Sequence, residues 1–244
     1  MKQLLSVLVR SLCTLLLVLP LSLHAESNKD PFEGFNRVLF KFNDTADTYV
    51  IKPMARGYSA VMPDPLEKGV YRMFDNLGEI RNIANDLLQA KFAQAANDSG
   101  RFLVNTTVGL AGFFEVAEPI GLKPNDGEDF GQTLGYWGIA EGPYLVLPIL
   151  GPSTLRDGPS RYIDSFLNPV NEVDHIPTRN VIHGTSMLSG RAALLKAEKL
   201  VSGDKYTFTR EVYLQRRAYL VNDGQLEDSF GSEYDDAYDD DFGD

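Results

Sequence analysis

One stretch constrains this chain more than any other: Asp30-Pro31-Phe32-Glu33-Gly34-Phe35-Asn36-Arg37-Val38-Leu39-Phe40-Lys41-Phe42-Asn43. Phe35, Val38, Leu39, Phe42, Ala46, Tyr49 and Val50 fall at i, i+3, i+4, i+7, i+11, i+14 and i+15, one face of a helix. Phe32 and Phe40 lie outside that face, so the apolar stripe is wider than one core contact needs. A helix apolar beyond a single stripe must be buried on several sides or meet lipid. The expectation is lipid, with Phe32, Phe35, Val38 and Phe40 embedded in a membrane surface. Asp30 and Glu33 read as a capping box with Pro31 at the first helical position. Ile51-Lys52-Pro53 reads as the end of the helix.

What precedes this helix is an export signal over residues 1–25. Lys2 and Arg10 supply positive charge, Leu12 to Leu23 the apolar run, and Leu23-His24-Ala25 the cleavage site. The run is about half the ~20 residues a spanning helix needs. The only cysteine, Cys13, lies inside it. The mature chain then has no disulfide, no thiolate nucleophile and no cysteine metal site. No cofactor is indicated. The formal net charge is −11, but ten acidic residues and no basic one lie between Asn222 and Asp244, so the body is close to neutral. Without a basic excess to neutralise phosphates, nucleic-acid binding is excluded. Residues 26–222 suffice for one sizeable domain, and the acidic tail, 223–244, is expected to stay disordered.

The body reads as mainly helical, an all-α chain with no signal of a parallel sheet. A helical piece runs from Pro53 to Val61. Asp64-Pro65-Leu66-Glu67 starts a second segment with Leu66, Val70, Phe74 and Leu77 on one face, kinked or broken at Gly78 and continuing to about Ala90. Further helices are expected over Phe92–Thr107, Tyr162–Leu167, Thr178–Val201 and Tyr206–Val221, with Leu188, Leu194, Leu195 and Val212 packed inward. Between Gly109 and Gly151 nine glycines change the texture. Asp129 is placed to cap a short helix over Phe130 to Tyr136. Gly142-Pro143-Tyr144-Leu145-Val146-Leu147-Pro148-Ile149-Leu150-Gly151-Pro152 is apolar, with a proline inside. It suits a loop or hairpin, not a central strand, and an exposed apolar loop suggests a binding surface.

Catalytic patterns are weak. Ser186 lies near His183, but no G-x-S-x-G or H-E-x-x-H occurs, and the segment reads as helix interior. Arg156, Asp157 and Arg161 suggest a local ion pair at a helix start, with a lipid phosphate as an alternative partner for the arginines.

Taken together, DPFEGFNRVLFKFND, DNLGEIRNIANDLLQ, RFLVNTTVGLAGFFEVA, EDFGQTLGYWG, GPYLVLPILGPSTLRDGPSR and DSFLNPV resemble the MlaA (VacJ) phospholipid-binding proteins of the Gram-negative outer membrane, over residues 30 to 222. The resemblance implies a ring-shaped, single-domain helical protein on the periplasmic face of the outer membrane. Through an amphipathic channel it would take mislocalised phospholipid from the outer leaflet. Its implied partners are a trimeric porin and a soluble periplasmic phospholipid carrier of the MlaC type. It also assigns sites. Phe42, Tyr144, Leu145 and Leu147 would form the apolar rim, Leu39 would join Phe42 in lipid or channel contact, and Lys41 and Asn43 would face the polar side. Phe42-Asn43 would set an open or closed state, and Gly142 and Pro143 would act as hinge and stop of a loop beside the channel. A structural envelope scaffold and, more remotely, a lipid hydrolase are the alternatives. The family is typically lipidated, but Arg10-Ser11-Leu12 before Cys13 makes no lipobox. The first helix is therefore expected to anchor the chain, since burying about five large apolar side chains at ~1.5–3 kcal/mol each gives a gross term near 10 kcal/mol.

Overall fold

The structure, a computed structural model, describes residues 30–225. The residues read as an export signal, Cys13 among them, and the acidic tail beyond Gln225 lie outside the described residues. Helix α1 (Glu33–Ala46) opens the chain. It does not end at Ile51-Lys52-Pro53. It widens into a π turn over Asp47–Ile51 and passes with helical backbone into α2 (Lys52–Val61). Pro53 explains the widening. Its ring crowds the carbonyl four residues back and it has no N–H to donate. In the π register the Lys52 N–H reaches Asp47 O, one residue further, and the crowding is relieved. The expected capping box is not formed: no side chain caps α1, and Glu33 instead pairs with Arg37 at 2.7 Å, one turn on.

Helix α3 (Asp64–Leu88) runs straight through Gly78, where the sequence suggests a break. An uninterrupted ladder tolerates one glycine at a cost of about 1 kcal/mol against alanine. Then follow α4 (Phe92–Thr107), α5 (Phe130–Tyr136), α6 (Asp157–Ser165), α7 (Ile176–Leu194) and α8 (Lys205–Val221). Asp129 caps α5 as its sequence predicts, accepting the Gln132 N–H at 2.9 Å. The Gly/Pro-bounded segment is a hairpin. Strand β1 (Tyr144–Leu147) pairs antiparallel with β2 (Gly151–Thr154), Tyr144 opposite Thr154 and Leu147 opposite Gly151.

Packing closes a circuit. The π turn and α2 lie against α7, α7 against α3, α3 against α5, α5 against α8, α8 against β2, and β1 back against α1. Helix α4 packs along α3, and α6 bridges α5 and β2. The π turn is tied to the end of α7 by ions: Arg191 grips both oxygens of Asp47 at 2.7 and 2.8 Å, and Lys52 meets Glu198 at 2.6 Å.

The apolar core is small. Tyr144, Val146, Tyr206 and Leu214 form it, with Leu39, Phe40 and Tyr213 against it. Phe40 stacks edge-on with Tyr206, centroids 5.5 Å apart, so this residue belongs to the core and is not free for a membrane. Leu194 and Val212, expected inside, are exposed. Elsewhere the usual order is inverted. Among the described residues, nine apolar side chains are buried, twenty-two polar or charged ones are buried, and thirty-two large apolar ones are exposed. A water-soluble domain buries apolar groups first, and exposes large apolar patches where it meets a partner or a membrane.

Candidate functional site

The polar interior begins on α3. Asn76, Glu79, Asn82, Asn85, Asp86 and Gln89 recur every three or four residues and are all buried, so one helix face carries amides and carboxylates inward. The amides find partners on other segments, some backbone and some side chain. Asn82 Oδ1 accepts the Glu128 N–H at 3.0 Å. Asn85 donates to Asp164 at 3.2 Å and accepts from Thr133 at 2.8 Å. Gln89 donates to Glu128 at 2.8 Å. From α4, Asn105 Oδ1 accepts the N–H groups of Val116 and Ala117 at 2.9 and 3.0 Å. Arg101 meets Glu79 at 3.1 Å. These bonds make a polar wall affordable, because an unpaired buried polar group costs about 1–3 kcal/mol. Two residues of this face depart from that: Asn76 Oδ1 has no hydrogen-bond partner, and nor does Asp86. Burial, then the neighbouring Asp98 charge, lifts the Asp86 pKa well above the usual carboxylate range.

Beside this wall lies a cavity of about 770 Å³. Its lining comes from α3, the Pro124–Asp129 loop, α6 and its exit, and α7, with Asp75, Arg81, Arg161 and Ser189 among the polar groups and Phe74, Leu77 and Ile182 among the apolar ones. No residue assigned to the channel from the sequence lines it.

Those residues gather instead where α1 meets the hairpin. Asn36 donates to Tyr144 O and accepts the Val146 N–H, both at 2.9 Å. Asn43 repeats the pattern two turns on, donating to Leu147 O at 2.9 Å and accepting the Ile149 N–H at 2.7 Å. The spacing fits because seven helical residues rise about 10.5 Å, close to the roughly 10 Å covered by three strand residues. The two asparagines serve β1 as a neighbouring strand would. Asn36 is held in turn by Asp30, whose carboxylate also takes Arg210 at 3.1 Å and the Tyr206 hydroxyl. Asn36 carries no signal in the sequence beyond its seven-residue spacing from Asn43.

The other assigned residues sort by exposure. Phe32, Phe35, Val38 and Phe42 are exposed, as is Lys41. Leu39 packs half-buried against the core, and Leu145, Leu147 and Pro143 are half-buried. Tyr144 is fully buried between Tyr206 and Tyr213; as folded it is core and cannot form a rim. Gly142 has φ +71°, and a Cβ there would stand 3.0 Å from Leu155. Its glycine is required by local geometry, a structural turn where the sequence suggests a hinge. The hairpin tip exposes Ile149 and Leu150, and Ile149 has φ +66°, which costs a β-branched residue about 1–3 kcal/mol of strain. Asn43 holds that strained amide.

Arg156 pairs with Asp157 at 3.0 Å, as expected at a helix start. Arg161 does not join them. Its guanidinium crosses to the hairpin and donates to Leu150 O and Pro152 O at 2.8 and 2.6 Å. The stronger clamp is Arg217, invisible to sequence reasoning. It reaches Asp129 at 2.6 Å and Asp157 at 2.8 Å. Burial pushes both carboxyls up, but Arg217, joined by the Gln132 N–H at Asp129 and by Arg156 and the Tyr213 hydroxyl at Asp157, leaves both below the usual range. Gly131 makes room, since a Cβ there would lie 2.5 Å from Asp157 Oδ1. Around His183 and Ser186 helix α7 is continuous, with no strand-to-helix elbow, and the His183 ring pairs with Asn171 at 3.0 Å.

Comparison with known proteins agrees with this architecture. Residues 28–220 match the family described as MlaA lipoprotein. The intermembrane phospholipid transport system lipoprotein MlaA of Escherichia coli is 34% identical over 209 residues, covering 82% of each chain. That of Haemophilus influenzae is 34% identical over 205 residues, again 82% of each. A solved structure described as the structural basis for maintenance of bacterial outer membrane lipid asymmetry superposes with a TM-score of 0.67 at 31% identity, covering 79% of this chain and 98% of that one. With a polar-walled circuit of helices and an apolar outer surface, and a family match spanning nearly all described residues, this chain belongs to the MlaA lipoprotein family.

Proposed function

We propose that this chain is the outer-membrane component of a phospholipid transport system. It draws mislocalised phospholipid from the outer leaflet through its polar interior and passes it to a soluble periplasmic carrier of the MlaC type, keeping the outer membrane asymmetric. The observation that carries this reading is the inversion itself: polar groups inside, large apolar side chains outside. A phospholipid crossing a leaflet must carry a charged head group, and a bare hydrocarbon path is prohibitive for it. A polar wall under an apolar exterior lowers that barrier without covalent chemistry. The names of the Escherichia coli and Haemophilus influenzae relatives support the same reading.

The chain sits on the periplasmic face of the outer membrane. No helix among the described residues is long and apolar enough to cross a membrane. Phe32, Phe35, Val38 and Phe42 rest in lipid. At ~1.5–3 kcal/mol each, these four give a gross term of about 6–12 kcal/mol, against the marginal binding of one acyl chain. The exposed hairpin tip, Ile149 and Leu150, is available to the membrane or to a trimeric porin.

Cells lacking this protein should accumulate phospholipid on their surface, read by labelling amine head groups with an impermeant reagent. Re-expression should restore the barrier. Unchanged surface phospholipid in the deletion would favour the scaffold reading.

A further inference from the structure

The cavity carries charges that the protein leaves unpaired. Arg101 is spent on Glu79, and Asp129 on Arg217. Asp164 accepts the Phe130 N–H at 3.1 Å and the Asn85 amide. Four charged lining residues remain. Arg81 donates Nε to Glu128 O at 3.0 Å, and Arg161 donates to the two hairpin carbonyls. Both have neutral partners, and among the described residues neither meets a carboxylate within ion-pair distance. Asp75 and Asp126 likewise make no ion pair or side-chain hydrogen bond there. A fifth group points the same way. Ser189 is 1% exposed, lines this cavity, and its hydroxyl has no hydrogen-bond partner. An orphaned buried hydroxyl on a cavity wall calls for an acceptor or donor from a bound molecule.

We infer that this cavity is a two-pole head-group site for zwitterionic phospholipid, with Arg81, Arg161 and Ser189 taking the phosphodiester and Asp75 and Asp126 the ammonium. The inference rests on the transport reading and adds a selectivity to it. The Arg81 guanidinium, engaged through Nε alone, keeps its terminal N–H groups for phosphate oxygens, while Arg161, its terminal nitrogens on the hairpin, adds positive charge. An anionic glycerol head group satisfies the arginines but offers nothing to the Asp75 and Asp126 carboxyls, whereas phosphoethanolamine satisfies both signs. Arg161 also links the site to the hairpin, since the same guanidinium holds Leu150 O and Pro152 O.

The test uses full-length protein extracted from outer membranes. It is equilibrated with detergent micelles holding equal phosphatidylethanolamine and phosphatidylglycerol, then washed, and the retained lipid is counted by mass spectrometry. Wild type should retain the ethanolamine lipid in excess. Asp75→Asn with Asp126→Asn should lose ethanolamine lipid and bring the ratio towards one. Arg81→Gln should lower total retention by about tenfold, the factor expected for one lost charge-assisted hydrogen bond, and Arg81→Lys should keep most of it. The circular dichroism of every variant should match wild type. An ethanolamine preference unchanged by the acid double variant, or wild type retaining both lipids equally, would overturn the proposal alone. Wild type retaining no phospholipid would overturn the transport reading as well.

Discussion

Two walls of this protein, both built from helices, face opposite ways. Where α1 and α8 meet the hairpin, Tyr144, Val146, Tyr206 and Leu214 are buried in the ordinary manner. Along α3 and α4 the buried face is Asn76, Glu79, Asn85, Asp98, Arg101 and Asn105, while Leu87, Leu88, Phe92 and Leu103 are turned outward. The first region holds by area removed from water. The second holds by completed hydrogen bonds, and must look outward to an apolar medium. The circuit needs both: a nucleus that folds as a soluble protein does, and a wall along which a polar head group can pass.

The comparison is open to attack in order of expected effect. Arg217→Gln should be the most damaging change. It strips Asp129 of its buried ion-pair partner and leaves Asp157 with Arg156 alone, a loss of about 3–5 kcal/mol, visible as collapse of the thermal midpoint. A loss under about 1 kcal/mol would mean that α5, α6 and α8 are not joined through this clamp. In the nucleus, Tyr144→Ala should cost about 3–5 kcal/mol, yet Tyr144→Phe should be nearly neutral, because its hydroxyl is buried without a partner. If Phe instead abolishes lipid passage at unchanged stability, Tyr144 acts at the path and not in the core.

At the seam between the regions, Asn36→Ala should cost about 1–3 kcal/mol by orphaning a buried carbonyl and amide of β1. Asn43→Ala should cost less, since Ile149 is solvent-facing, and should free the hairpin tip. Hydrogen exchange of the 147–151 amides reads that release, and unchanged protection would show the clamp to be idle. The smallest effect is one of pH. The Glu198 carboxyl is held down at about 2, chiefly by its hydrogen bond from Lys52 and then by Arg191. A folded-state pKa below the unfolded value near 4.5 contributes stability above that value and loses it as pH falls from about 4.5 to about 2. Glu198→Gln should flatten that part of the stability profile while leaving neutral stability slightly lower. An unaltered acid limb would assign the acid loss to other carboxylates.

Much of the fold was legible in the sequence. The 3.6-residue pattern placed the helices, Asp129 announced its cap, and the Gly-Pro boundaries with Pro148 argued against a central strand and left a loop or a hairpin. The failures share a cause. Pro53 and Gly78 both read as helix ends, but one is absorbed by a π turn and the other by an unbroken ladder, because neighbouring helices hold both segments in place. The aromatic first helix drew the site assignment towards itself, and Tyr144 and Phe40 went to the core while the cavity formed elsewhere.

The sequence by itself determined the helical class, the absence of a central strand at the Gly/Pro-bounded segment, the breadth of the apolar stripe on α1 and the family, since each rests on local spacing or on blocks in order. Only the tertiary structure decided which face of each helix is inside. Amphipathic periodicity is unchanged when a helix is rotated by half a turn, so α3 reads the same whether its asparagines meet water or one another. That choice falls to partners distant in the chain: Glu128 for Asn82, Thr133 and Asp164 for Asn85, Val116 and Ala117 for Asn105.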